Sequence, residues 1–499
     1  MGADRDLLGR VLRSAGTVVV GSGFSKSCLV VVELCLAVVL GAAGYGLFSI
    51  VFSLIAVVAT LAQSGFNFGI VQYLSIYQEA GDEDAERSCI RVSLLYVLAV
   101  SALAALGLFG GAAWLANTVF GKPELLPLLS LAAAILPFEG LNHCLSTIFR
   151  GLRQFSQHVL TFDLARNLVL LTTLPFAALG ELDLIEVFYI LAAGTATGTL
   201  LGFALLVKRV NLLRGFYCDG RVFCEIFSFS YVLFFWQVLQ VSANRVLLLI
   251  SGVVLATADV GVLAVAMRFV YLLGFPQTVF NLTAPVEFAR FNYLRDYAAL
   301  KRLYQMIALM LLIIAIIIVL PLSLNKGPVM SWFGTDYAPY DWVLGILLAV
   351  KALDVGTGPA GQVLVACRKR KSVLALSAFD MALQFLLVVP LMMVFGLAGA
   401  VYGHALRTIA FVSVRQVALF VILGIHSISR TLLVLAASGC VVYVLGNWVI
   451  TLLPSLWWRG GITAAAMAIV GGIMVGTLRA HPLVREFLRG QRRVARYKD

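Results

Sequence analysis

The feature that most constrains this chain is its succession of long apolar segments. Apolar residues make up 61% of the 499 residues and charged residues only 12%, against about 45–50% and about 25% in soluble domains. A helix that crosses a bilayer needs about 20 apolar residues. The segments are continuous and do not alternate as membrane β-strands do. These properties predict an all-α integral membrane protein and exclude a soluble enzyme or a disordered chain.

The apolar segments predict about 14 transmembrane helices. Their approximate bounds are 14–41, 45–70, 91–116, 124–149, 157–179, 184–207, 226–252, 259–288, 303–324, 339–367, 373–395, 397–420, 431–453 and 457–478. No connection between them is long enough for a soluble catalytic domain, and no Cys/His cluster has the spacing of a zinc site.

The distribution of basic residues predicts the orientation. With both termini in the cytoplasm, 28 of the 37 Lys and Arg residues fall in predicted cytoplasmic segments, and only Lys122, Lys326 and Arg459 fall in outer loops. Cytoplasmic loops of membrane proteins carry such an excess of Lys and Arg. The net charge of +12 is therefore explained by orientation, and we expect no nucleic-acid partner.

The two halves of the chain resemble each other at an offset of 213–218 residues. Gly44–Phe48 lies opposite Asp259–Leu263, and Phe120-Gly121 lies opposite Phe333-Gly334. This offset covers six predicted helices, an even number, so the halves have the same orientation, as parallel repeats do.

The repeat predicts four regions. These are an N-terminal lobe of six spans at 1–207, a cytoplasmic linker at 208–225, a C-terminal lobe of six spans at 226–424, and two further spans with a basic cytoplasmic tail at 425–499.

Several short segments, in this order, carry a resemblance to a known family. They are Gly44–Phe48, Gln78–Arg91, Phe149–Leu152, Asn244–Leu248, Trp332–Tyr337 and Gly361–Leu364. With them the chain resembles the polysaccharide transporter branch of the multidrug/oligosaccharidyl-lipid/polysaccharide (MOP) exporter superfamily, the bacterial O-antigen and exopolysaccharide flippases. One departure is Asn244, where members of the family often have an acid.

The resemblance implies a function and a location. The implied activity is movement of an undecaprenyl-pyrophosphate-linked oligosaccharide from the cytoplasmic to the periplasmic leaflet of the bacterial cytoplasmic membrane. It implies alternating access of two lobes around a cavity, and it implies a polysaccharide polymerase and chain-length machinery as partners. The membrane lipids and the anionic lipid-linked cargo are the other expected partners.

Charged residues inside the predicted spans are candidate functional residues, because a charge at the bilayer centre costs about 2.5–3.5 kcal/mol or more. Three cations, Lys26, Arg245 and Arg268, have no acid nearby on their own helices. A pyrophosphate needs positive partners when it is buried. We therefore predict a cationic substrate cavity, and the candidates are Lys26, Arg245, Arg268, Lys351 and Arg407. Snorkelling, or pairing with acids on other spans, is the alternative.

A second group of charged residues is predicted to gate the protein or to couple it to an ion gradient. Its members are Glu33, Glu139, Asp163, Arg166, Asp354, Asp380 and His404. No cofactor or metal is expected, and H+ or Na+ coupling stays open. Asp163–Arg166 and Lys351–Asp354 are spaced i,i+3, so each can also be a structural pair on one helix face.

Polar and aromatic residues of the seventh span are candidate sugar contacts, namely Trp236, Gln237, Gln240 and Asn244. Polar side chains that hold helices together are the equally weighted alternative.

Other functions are weighed against the flippase. A lipid II flippase also carries a pyrophosphate lipid. An exporter of organic cations should have acids in its cavity, whereas the charges without local partners here are cationic. A membrane-bound polymerase or ligase needs a large outer loop, which the sequence lacks, and a non-transporting scaffold is the remaining alternative.

Overall fold

The computed structural model describes the backbone of residues 2–172, 183–210, 219–452 and 456–480. Within these ranges it contains α-helices, short 3₁₀ and π-helical turns, and no strand. The α-helices are α1 Gly2–Ala62, α2 Phe66–Ala80, α3 Glu83–Trp114, α4 Leu125–Gly151, α5 Phe155–His158, α6 Arg166–Leu171, α7 Leu184–Arg209, α8 Gly220–Val254, α9 Thr257–Tyr293, α10 Tyr297–Leu324, α11 Lys326–Ser331, α12 Asp341–Gly356, α13 Ala360–Ala366, α14 Arg370–Leu383, α15 Val389–Leu423, α16 Arg430–Leu452 and α17 Leu456–Ala480.

The described helices include ten that are long and apolar enough to cross a membrane. The chain is therefore a multi-pass, all-α membrane protein, as predicted. One of the ten segments, Lys371–Leu423, covers 53 residues, which is longer than one crossing requires. The number of 14 transmembrane helices stays a prediction.

Two glycines turn the chain where the sequence predicts the boundary between two spans. Gly41 in α1 has φ 63° and ψ −179°, and Gly396 in α15 has φ 59° and ψ −134°. These conformations suit glycine because it has no Cβ. A Cβ at Gly399 would overlap the carbonyl of Leu391, although residues eight apart in a straight helix are about 12 Å apart. The chain therefore folds back on itself at Gly396.

A third turn lies inside the predicted span 45–70. Ser64 has φ 47° and Gly65 has φ 77°, and they separate the end of α1 from α2. A Cβ at Gly65 would lie 2.5 Å from the carbonyl oxygen of Ser230, and one at Gly69 would lie 2.8 Å from the side chain of Ile226. Glycine at these two positions lets α2 pack closely against α8.

Two glycines in the repeated segments make a reciprocal contact. A Cβ at Gly46 would overlap the carbonyl of Thr257, and a Cβ at Gly261 would overlap the carbonyl of Ala42. Each residue of α9 in this contact has its repeat equivalent in α1. The two backbones therefore approach each other closely at equivalent positions of the repeated segments.

The chain divides into two compact units. The first unit contains residues 1–265 and 381–400, and the second unit contains 266–380 and 401–499. The first unit includes α8, which the sequence assigns to the C-terminal lobe. The lobe boundaries stay a prediction.

Hydrogen bonds at both ends hold α8 within the first unit. At one end the hydroxyl of Tyr77 donates to Glu225 at 2.8 Å, and the backbone N–H of Asp219 donates to Ser88 at 2.8 Å. At the other end Lys122 donates to the carbonyl of Leu255 at 2.8 Å. α8 therefore packs with the helices that precede it in the chain.

Candidate functional site

Five predicted site residues have side chains outside the described part of the structure. They are Lys26, Asp163, Trp236, Gln240 and Asn244. The roles proposed for them stay predictions, and the geometry below concerns the other candidates.

Glu139 is the centre of the charged cluster in the first unit. It lies on α4, is 7% exposed, and accepts a hydrogen bond from the Arg166 guanidinium at 2.9 Å. The imidazole of His143, one turn further along α4, lies 3.4 Å from the same carboxylate. The described ion pair of Arg166 and Glu139 joins α6 to α4. The predicted pair of Arg166 with Asp163, whose side chain lies outside the described part, stays a prediction.

Aromatic and histidine side chains extend this cluster towards the predicted cytoplasmic end of α4. The ring of Phe162, in a π-helical turn, lies 4.5 Å from the His143 ring and 5.7 Å from the Arg166 guanidinium carbon. The ring of His158 also stacks on Phe162 at 6.1 Å, and its Nδ1 is 2.8 Å from the hydroxyl of Ser146. Phe162 thus contacts both imidazoles and the Arg166 guanidinium, and His143 is the imidazole that also contacts the buried carboxylate of Glu139.

Other candidates of the first unit lie on α1 and α8. Glu33 is 2% exposed. Arg245 lies with its guanidinium carbon 5.8 Å from the ring centre of Phe52, which is within cation–π range. Gln237, two turns before Arg245 on α8, is partly buried.

In the second unit, Asp354 joins two cations. Its carboxylate accepts from Lys351 at 2.8 Å, across one turn of α12, and from Arg415 of α15 at 2.9 Å. The pair of Lys351 and Asp354 has the geometry that the i,i+3 spacing predicts. Arg415 is 9% exposed and is not among the site residues that the sequence predicts. The signal that could have identified it is its position inside the predicted span 397–420.

A set of hydrogen bonds fixes the end of α12 to its neighbours around Asp354. Arg415 donates to the hydroxyl of Thr357 at 3.1 Å, and Gln416 donates to the backbone carbonyl of Thr357 at 3.0 Å. The hydroxyl of Tyr304 donates to the same carbonyl at 2.7 Å. The side chain of Arg415 is thus held by Asp354 and Thr357, and Thr357 is itself held by Gln416 and Tyr304.

Asp380 and Arg407 form a buried bidentate pair. Nε of Arg407 lies 2.9 Å from one carboxylate oxygen of Asp380 and Nη2 lies 2.6 Å from the other. The two residues are 7% and 5% exposed. Both oxygens of Asp380 are thereby engaged by one guanidinium, and the pair joins α14 to α15.

The remaining candidates of the second unit are Arg268 and His404. Arg268, near the middle of a candidate span of α9, is 4% exposed, and its guanidinium carbon lies 6.0 Å from the Tyr271 ring centre. His404 interacts electrostatically with Lys351, Asp354 and Arg407.

Cations outnumber acids among these intramembrane residues. The set contains the predicted charged candidates whose side chains are described, together with Arg415. Six of these residues are cations and four are carboxylates. The cations are Arg166, Arg245, Arg268, Lys351, Arg407 and Arg415, and the acids are Glu33, Glu139, Asp354 and Asp380. Within the described part of the chain, no group of three His, Cys, Asp or Glu residues could hold a metal ion.

Comparison with known proteins gives a family match and structural matches. The family described as "Polysaccharide biosynthesis protein" matches residues 11–288, more than half of the chain. A comparison with curated proteins gives no match.

The structural matches are to transporters of low sequence identity. An inward closed structure of the lipid II flippase MurJ is 14% identical, with a TM-score of 0.69 over 92% of this chain and 99% of its own. An inward-facing multidrug resistance MATE family transporter of the MOP superfamily is 16% identical, with a TM-score of 0.64 over 80% and 95%. A MOP superfamily transporter from Pyrococcus furiosus is 15% identical, with a TM-score of 0.57 over 82% and 95%. The chain therefore has the fold of these transporters.

Proposed function

Because the chain belongs to the polysaccharide biosynthesis protein family, we propose that it is a flippase for lipid-linked oligosaccharides. Its cargo is an undecaprenyl-pyrophosphate-linked oligosaccharide, used for O-antigen or exopolysaccharide. It moves the cargo from the cytoplasmic to the periplasmic leaflet of a bacterial cytoplasmic membrane by alternating access. The transporter fold that it shares with MurJ and MATE proteins supports a transporting role.

The observation that carries this proposal is the excess of cations among the intramembrane charges. A charged side chain in the bilayer is costly and is retained chiefly where it has a function. Phosphate oxygens are well matched by guanidinium groups, which can donate two parallel hydrogen bonds. Arg268, which is 4% exposed within a candidate span, is the residue we place first at the pyrophosphate.

The other candidates receive roles within the same scheme. Arg245 and Lys26 are further candidates for contacts to the pyrophosphate, whereas Arg407 is held by Asp380 and Lys351 by Asp354. Gln237 and its neighbours on α8 contact sugar hydroxyls. An H+ or Na+ gradient drives the cycle through a titratable residue such as Glu139, whose carboxylate lies beside His143.

The experiment locates the cargo in the membrane. The gene is deleted in its host, and spheroplasts are treated with a membrane-impermeant glycosidase before and after permeabilisation. We expect the oligosaccharide lipid to accumulate and to resist the enzyme until the membrane is opened. The matched variants are Arg268→Ala, Arg268→Lys and the exposed control Arg290→Ala, each introduced on a plasmid and checked for protein level.

The variants separate a role in transport from a role in folding. Arg268→Ala should abolish export at a normal protein level, Arg268→Lys should restore part of it, and Arg290→Ala should support full export. Normal export with Arg245→Ala, Arg268→Ala and Lys26→Ala, each tested alone, would overturn the cationic role.

The competing functions predict other outcomes of the deletion. Accumulation of lipid II in the inner leaflet would indicate a lipid II flippase. Sensitivity to organic cations with unchanged glycolipids would indicate a drug exporter. Oligosaccharide lipid that reaches the periplasmic leaflet but stays unpolymerised would indicate a polymerase or ligase.

A further inference from the structure

Among the described charged residues on α12, α14 and α15 that belong to the second unit, positive charges outnumber negative ones. Arg407 occupies both oxygens of Asp380 at 2.9 and 2.6 Å, so this pair is neutral on its own. Asp354 is then left with two cations, Lys351 and Arg415. With His404 neutral, the group made of these three residues carries one positive charge in excess.

The carboxylate of Asp354 is already divided between its two partners. Oδ2 accepts from Lys351 and Oδ1 accepts from Arg415. The acid can therefore neutralise only one of the two charges. An uncompensated charge in a poorly solvated site is costly, and the usual remedy is a bound counter-ion or a further acid.

Two buried donors or acceptors next to this excess charge have no hydrogen bond within the described part of the chain. They are Nε of Arg415 and Nδ1 of His404. Arg415 is 9% exposed, and its guanidinium carbon is held 5.3 Å from the ring centre of Phe411. The Nε group thus has a fixed position and an unused N–H.

We propose that Lys351 and Arg415 form a binding site for one monovalent inorganic anion of the halide class, with the shared Asp354 holding the two cations in place. One excess charge is matched by one monovalent anion, whereas a phosphate dianion would exceed it. The Nε–H of Arg415 and the remaining N–H bonds of Lys351 supply the donors. The side chains of Lys351 and Arg415 are 22% and 11% exposed, so Lys351 is the more accessible of the two cations.

This site stands apart from the identity of the cargo. It uses residues of the second unit alone, and it binds its ion whether or not a lipid-linked sugar is transported. Arg415 thereby receives a role that its place near the predicted cytoplasmic end of the span does not suggest.

The first experiment measures the binding of radioactive chloride to the purified full-length protein in detergent. We expect saturable binding of about one ion per chain, displaced by bromide but not by the larger organic anion gluconate. A parallel thermal-unfolding series at constant ionic strength replaces sodium gluconate with sodium chloride. Because a ligand that binds only the folded state stabilises it, Tm should rise with chloride and then level off.

Three variants assign the binding to this place. Lys351→Gln removes the excess charge, leaves the Asp354–Arg415 pair, and should lose chloride binding and the chloride-dependent rise in Tm. Lys326→Gln, a control that changes another lysine of the second unit, 3.8 Å from Asp341, should keep both. Arg415→Lys retains the charge but removes Nε, and should weaken binding at least tenfold.

The proposal is overturned by equal Tm values in chloride and gluconate together with no saturable chloride binding. It is also overturned if Lys351→Gln binds chloride as the unaltered protein does. Neither result bears on the flippase assay, so the two proposals fail separately.

Discussion

The buried pair of Asp380 and Arg407 allows a quantitative prediction about stability. Its N–O distances are 2.6 and 2.9 Å, and both residues are more than nine-tenths buried. Replacing Arg407 by Ala would leave the Asp380 carboxylate buried without this partner. Breaking such a pair from one side costs about 3–5 kcal/mol, which lowers the folding equilibrium constant by about two to three and a half orders of magnitude.

Removing both partners should restore most of the loss. In Asp380→Ala/Arg407→Ala no charge stays behind, so we expect a coupling energy of about 2–4 kcal/mol in a double-mutant cycle. The matched control is the pair of Glu79 and Arg153. Its closest N–O distance is also 2.6 Å, but its side chains are 71% and 64% exposed, so its coupling should be about 0.2–1 kcal/mol.

The assay is unfolding of the purified variants by a graded denaturing detergent in mixed micelles, followed by tryptophan fluorescence. A larger coupling for the buried pair than for the exposed pair would confirm the reasoning. Equal couplings for the two pairs would refute it, because burial would then not govern the strength of the ion pair.

Three further predictions concern the first unit. Gly46→Ala and Gly261→Ala should each lower stability by about 1–3 kcal/mol, since the new methyl group would meet a backbone carbonyl. Gly107→Ala, in open space on α3, should be neutral or stabilising. Thermal unfolding compares the three variants, and equal effects at all three positions would contradict the close approach. Burial lowers the pKa of Lys122 below its usual value. Below pH 10.5 the unfolded state therefore binds more protons than the folded state, and stability should rise with pH up to that value. Lys122→Met should flatten this rise in a series of Tm measurements, and an unchanged slope would contradict the prediction. Glu139→Gln should destabilise the protein because it leaves Arg166 without its described carboxylate. The double variant Glu139→Gln/Arg166→Gln should regain part of the lost stability. If the double variant is no more stable to heat than the single one, the ion pair does not contribute to stability.

The sequence predicted the features that depend on local spacing. An i,i+3 relation brings Lys351 and Asp354 together on one turn of helix, and the structure has this contact at 2.8 Å. Predicted span boundaries at Gly41 and Gly396 match the two turns, because a chain that reverses direction between two apolar runs favours glycine. The repeat alignment placed Gly46 opposite Gly261, and these residues occupy equivalent places in a reciprocal contact.

The sequence could not predict contacts between distant positions. Glu139 and Arg166 lie 27 residues apart on different helices, and neither helical periodicity nor hydropathy indicates which helices are neighbours. The same holds for Asp354 and Arg415, which are 61 residues apart. The sequence did not predict the turn at Ser64 and Gly65, because the apolar run continues through it. The need for glycine at position 65 follows from its close packing against Ser230, which only the structure shows.

The most direct test of the account is translocation by the purified protein in proteoliposomes. A short fluorescent lipid-linked pyrophosphoryl oligosaccharide is placed in both leaflets, and a membrane-impermeant glycosidase is added outside. The account predicts complete cleavage in vesicles that contain the protein and slow cleavage with Arg268→Ala. In protein-free vesicles only the lipid of the outer leaflet should be cleaved. If vesicles with the unaltered protein protect half of the lipid as protein-free vesicles do, the chain does not move this cargo and the central claim is wrong.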